Sequence, residues 1–138
     1  AFTGVLDITT RDGRETSAFL RLPREVPIAV VFILIGYPWF SVYPQEVVCR
    51  PFFFWRYAAI LPRPWQMVAV NSVAFAWIHA PFLHWMALAL TLPGGVLFAM
   101  TYHRTRSTLA VTIEHGLMGW WAFVVGLGWF VFTGSVAS

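Results

Sequence analysis

Four apolar stretches, separated by prolines and short polar connectors, occupy nearly everything after residue 26, and this pattern constrains the fold more than any other feature. They run over residues 27–60, 65–83, 85–102 and 107–132. At about 1.5 Å of rise per residue, the last three are long enough to cross a hydrocarbon core of about 30 Å. Apolar residues make up 59% of the chain and charged residues 11%, too much apolar surface for one soluble core of 138 residues. The bilayer is the natural solvent for the excess, because a helix satisfies its own backbone there. The expected fold is therefore all-α: a polytopic transmembrane helix bundle over residues 27–138, preceded by a polar arm over residues 1–26.

The number of spans turns on the first stretch, which Pro38, Pro44 and Pro51 interrupt. Read as one kinked helix it gives four spans, and read as two it gives five. The connectors 61–64 and 103–106 are short, so neighbouring helices should be antiparallel. Arg56, Arg63, Arg104 and Arg106 fall on one side, while the 80–84 turn carries no Arg, so loops 61–64 and 103–106 are expected in the cytoplasm. Trp39, Trp65, Trp85 and Trp129 read as interfacial anchors. The arm has no signal-peptide layout; it reads as a water-exposed segment, or as a loop left where upstream spans are missing.

Composition also excludes some functions. The net charge of +3 comes from scattered arginines, without a basic stripe carrying interleaved aromatics, so nucleic acid is not an expected partner. A single cysteine, Cys49, rules out an internal disulfide and a cysteine-based metal knuckle. The glycines at 94, 95, 116, 119, 126 and 128 read as positions of close helix approach. There is no internal repeat or ring of like charge to suggest a transporter or channel.

An ionisable side chain in mid-membrane costs several kcal/mol, so each one needs a reason. Glu46, Arg50, His79, Glu114 and His115 all lie within the apolar stretches, as do the uncharged polar residues Gln45 and Asn71. Glu46 and Arg50 are four apart and share a helix face, which allows an internal ion pair. Counted from the arginine-bearing side, Glu46 and His79 lie roughly 22–24 Å deep and His115 roughly 14 Å, a gap that helix tilt can close. Asn71 reads as a helix–helix hydrogen bonder, Glu114 as a neutralising partner for a group such as Arg50, and His84 as an interfacial residue that can also line the site.

The order and spacing of these residues resemble the CPBP family, the CAAX-protease and bacteriocin-processing membrane proteins that include type II prenyl-protein endopeptidases. The family's Glu-Glu-x-x-x-Arg is similar to Gln45-Glu46-Val47-Val48-Cys49-Arg50, its Phe-x-x-x-His matches Phe75 to His79, and its His-x-x-x-Asn/Asp resembles His115 to Gly119. The resemblance implies hydrolysis of a peptide bond in a membrane-embedded or lipidated substrate. It implies that the first motif's leading carboxylate and His79 activate a water, and that the third motif stabilises the oxyanion.

Two departures stand out. Gln45 replaces the first Glu, and an amide is no useful base; Gly119 replaces the third-motif Asn or Asp, a loss worth roughly 2.7–4 kcal/mol of barrier height where such a donor is catalytic. Either Glu46 takes over as base with Arg50 tuning it, or the chain keeps the fold without the chemistry, as a scaffold, assembly factor or accessory subunit among other membrane subunits. A zinc-bound water is a further route, with Glu46, His79 and His115 as ligands, although no His-Glu-x-x-His motif is present.

Overall fold

The computed structural model describes residues 7–9, 15–17, 27–82 and 85–125. The arm contributes a short antiparallel hairpin, β1 (Asp7–Thr9) with β2 (Glu15–Ser17), in which Ile8 pairs with Thr16. The sequence reading assigned this arm no regular structure. Everything else with regular structure among the described residues is helical.

The three prolines of the first stretch do not divide it. A run of helical backbone passes from α1 (Pro27–Tyr37) through a π turn (Pro38–Val42), α2 (Tyr43–Val47), a second π turn (Val48–Phe52) and α3 (Phe53–Tyr57). Every junction keeps right-handed helical angles, for example φ −55°, ψ −47° at Tyr37 and φ −74°, ψ −46° at Val48. Proline lacks an N–H and its ring crowds the carbonyl four residues back. Widening the turn around Pro38 and Pro51 relieves that crowding without breaking the helix. The alternative of one continuous element is the one adopted.

α4 (Pro64–Trp77) starts with proline at its first position, and the Gln66 side chain returns to accept from the Arg63 backbone N–H at 3.3 Å. A 3₁₀ turn (Ala80–Phe82) follows, then α5 (Trp85–Thr105) and α6 (Thr108–Val124). Ser107 caps α6, its Oγ accepting from the Ala110 N–H at 3.1 Å. α4 packs along α5, α5 against α6, and α6 returns against the first helical run.

Gly95 allows α5 to approach α4 closely: a Cβ there would come within 3.2 Å of the Ser72 backbone on α4. Phe54, Met67, Phe75, Phe98, Ala99, Tyr102 and Val111 form the apolar core. Loops 61–64 and 103–106 share one end of the bundle, where Leu61, Pro62, His103 and Arg106 line a common cleft with Phe54 and Met67.

Among the described residues, no helix is long and apolar enough to cross a membrane. This differs from the expectation for residues 65–83 in particular. α4 ends at Trp77 after 14 residues, about 21 Å, because the chain tightens into the 3₁₀ turn around Pro81.

Between α5 and α6, Arg106 adopts a left-handed conformation with φ 53°, and its N–H caps the Tyr102 carbonyl at 2.8 Å. Arg106→Val, with a β-branched residue in that region, is expected to cost about 1–2 kcal/mol. Arg106→Gly is expected to melt at or above the wild-type temperature. Equal melting of all three proteins would show that the turn does not hold this geometry.

Candidate functional site

The polar residues that the sequence scatters over three stretches meet in the interior. Glu46 sits in α2 and Arg50 one turn later in the second π turn, and both side chains are fully buried. Arg50 Nε lies 2.9 Å from Glu46 Oε2, an ion pair that lacks the alignment of a hydrogen bond. The other carboxylate oxygen, Oε1, accepts from His115 Nδ1 of α6 at 2.7 Å. Glu46 is therefore clamped between a cation from its own helix and an imidazole from the far end of the sequence.

Asn71 of α4 completes the support. Its Oδ1 accepts from Arg50 Nη1, and its Nδ2 donates to the Cys49 carbonyl at 2.6 Å. That carbonyl belongs to the second π turn, just before Pro51. The guanidinium also lies over the Phe75 ring, 4.8 Å from its centroid, with Phe98 at 5.8 Å. Glu114 lies close enough to add to the field at Arg50. Among the described residues, Arg50 Nη2 and Glu114 Oε2 are buried without a hydrogen-bond partner.

Phe75 organises the two histidines. Its ring lies 4.8 Å from that of His79 and 5.5 Å from that of His115, and Phe98 stacks on His115 at 4.7 Å with a 20° interplanar angle. His79 Nδ1 lies 2.8 Å from the Phe75 carbonyl, which only accepts, so Nδ1 carries the proton. Its Nε2 lies 3.3 Å from the Gln45 amide nitrogen, which donates to it. The site thus has two linked parts, a Glu46–Arg50–Asn71–His115 centre and a Gln45–His79 pair, with the Phe75 ring between the imidazoles.

The donor set does not fit zinc in this arrangement. Both Glu46 oxygens and both His79 nitrogens face protein groups, and among the described residues no three His, Cys, Asp or Glu side chains converge as ligands. His84 lies outside the described residues. Gly119, read from sequence as a packing glycine, has a more specific surrounding: a Cβ there would collide with the Tyr37 phenol, 2.5 Å from its oxygen. Sequence reasoning gave no role to Tyr37 or Phe98. The signal available for Tyr37 was indirect, a glycine at a position where a side chain was expected.

The helical body thus buries a carboxylate held between an arginine and a histidine, beside a second histidine. Residues 27–121 match the family model of type II CAAX prenyl endopeptidase Rce1-like proteins, and the chain belongs to that family. No curated protein and no solved structure matches it.

Proposed function

We propose that this protein is a membrane-embedded endopeptidase that hydrolyses a peptide bond close to the lipidated C-terminus of a protein substrate. The observation that carries the reading is the Glu46–His115 pair. A carboxylate that holds Nδ1–H of a neutral imidazole leaves Nε2 as a base, the logic of a serine-hydrolase histidine. His115 keeps 10% of its side-chain surface exposed while Glu46 and Arg50 keep none, which favours the histidine over the carboxylate as the base. Here Glu46 orients and charges the base instead of acting as the base itself.

A lipidic setting fits the surface. Phe32, Ile35, Phe40, Trp55 and Trp77 are each at least 67% exposed, and apolar faces of that extent call for a bilayer or a partner. By length alone the helical run from residue 27 to residue 57, about 46 Å, and α5, about 31 Å, match a hydrocarbon core of about 30 Å, although no described helix is also apolar enough to cross it. An apolar groove of about 380 Å³ runs along the α1–α6 seam, lined by Leu34, Pro38, Trp39, Ile113, Gly116 and Leu117. It borders His115 through Gly116 and suits an isoprenoid chain. In this reading the loops at 61–64 and 103–106 face the cytoplasm, and no metal is required.

The test is cleavage of a prenylated C-terminal peptide by the purified protein in lipid vesicles. His115→Ala and Glu46→Gln are each expected to lower kcat by about 10²–10⁴-fold. Wild-type turnover retained in His115→Ala would remove the histidine from the mechanism. A second reading, a scaffold or accessory subunit without turnover, is favoured by Gln45 and by the complete burial of Glu46. It expects stable co-purification with other membrane subunits, and no cleavage by any variant.

A further inference from the structure

Tyr37 lies against one face of α6. His115, Gly119 and Phe123 are spaced by four, so they stack on that face turn by turn. The Tyr37 ring meets His115 edge-on with centroids 6.5 Å apart, and Phe123 edge-on at 5.2 Å. Between them it covers Gly119, where a Cβ would stand 2.5 Å from the phenolic oxygen and 2.7 Å from Cζ. No other glycine described in this chain is approached so closely by a side chain. The absence of a side chain at Gly119 is therefore matched by a hydroxyl brought in from α1, one helical turn from His115. The adjoining Pro38 begins the π turn.

A hydrolytic centre needs more than a base. When water adds to the scissile carbonyl, the new C–O bond takes the water's electron pair, the carbonyl π pair moves onto oxygen, and the water's proton passes to His115 Nε2. The oxyanion then needs a donor. Collapse restores the C=O, breaks the C–N bond and returns the proton from His115 to the leaving amine. Tyr37 of α1 presents its phenolic hydroxyl against the α6 face that carries His115. Arg50 Nε faces Glu46 and its Nη1 donates to Asn71, while one N–H of the Gln45 amide donates to His79.

We propose that Tyr37 is a catalytic residue whose phenolic O–H donates to the oxyanion, standing over Gly119 in the place of a side chain from α6 itself. This inference rests on the endopeptidase reading above. It also explains the glycine: a larger residue at 119 would displace the phenol.

The experiment compares wild type, Tyr37→Phe and the double variant Tyr37→Leu/Gly119→Asn on a prenylated C-terminal peptide in vesicles. Tyr37→Phe keeps the ring and its edge contacts, and is expected to fold like the wild type. Its kcat is expected to fall by about 10²–10³-fold with KM nearly unchanged. The double variant places an amide donor on α6 in the vacated space and is expected to regain about a tenth of wild-type kcat or more. Wild-type cleavage with Tyr37→Phe within about threefold in kcat overturns the role of Tyr37 and leaves the endopeptidase reading standing. Absence of cleavage by the wild type, on peptides of every prenyl length, overturns that reading and the role of Tyr37 with it.

Discussion

Glu46→Leu is expected to destabilise the protein by about 3–5 kcal/mol, the penalty for leaving a buried charge without its partner. The guanidinium of Arg50 has no exposed surface and would keep Asn71, the faces of Phe75 and Phe98, and the weaker influence of Glu114. His115 would lose its acceptor in the same step. The double variant Glu46→Leu/Arg50→Met removes both charges together, and is expected to recover most of the loss, because well-packed apolar residues often replace a buried pair at little cost. Denaturation of the four proteins of this cycle measures the coupling. Additive losses would mean that the two side chains do not neutralise each other. The comparison also separates stability from chemistry, since the double variant is expected to fold well and cleave nothing.

Gln45→Glu is expected to raise kcat by at least about tenfold, toward the 10²-fold or more that a well-placed acid–base group supplies. In the native protein the Gln45 amide donates to His79 Nε2, and the Phe75 carbonyl holds Nδ1–H, so the lone pair of the ring is spent. A carboxylate at position 45 cannot donate that hydrogen bond. It and His79 must instead share a proton, which creates a second acid–base pair across the Phe75 ring from His115. Cleavage of the prenylated peptide by this variant reads the effect directly. A rate equal to wild type would show that the Gln45–His79 pair takes no part in proton transfer, and would confine the chemistry to Glu46, His115 and Tyr37.

Legibility from sequence was uneven, and the reasons are physical. The cost of burying charge marked Glu46, Arg50, His79, Glu114 and His115 for attention, and the four-residue spacing foretold the contact between Glu46 and Arg50. Spacing within one helix could not tell which oxygen of Glu46 would meet His115, since those residues are 69 apart. Nor could it show that His79 would turn away toward Gln45, with Phe75 filling the gap. The hairpin of the arm was overlooked although Asp12-Gly13, a common turn dipeptide, lies between its two strands. The three prolines were read as punctuation that could split the first stretch; the helix absorbed them by widening twice, and so left Glu46 and Arg50 on one face.

What the sequence by itself determined is the helical body and the family, because long apolar stretches and three short motifs are local properties of the chain. What only the tertiary structure decided is how the site is completed. Gly119 looks like a lost side chain when read along α6, and becomes a seat for the Tyr37 phenol once α1 packs against it. Pairings across helices depend on crossing geometry and side-chain volume, and neither is written at any single position.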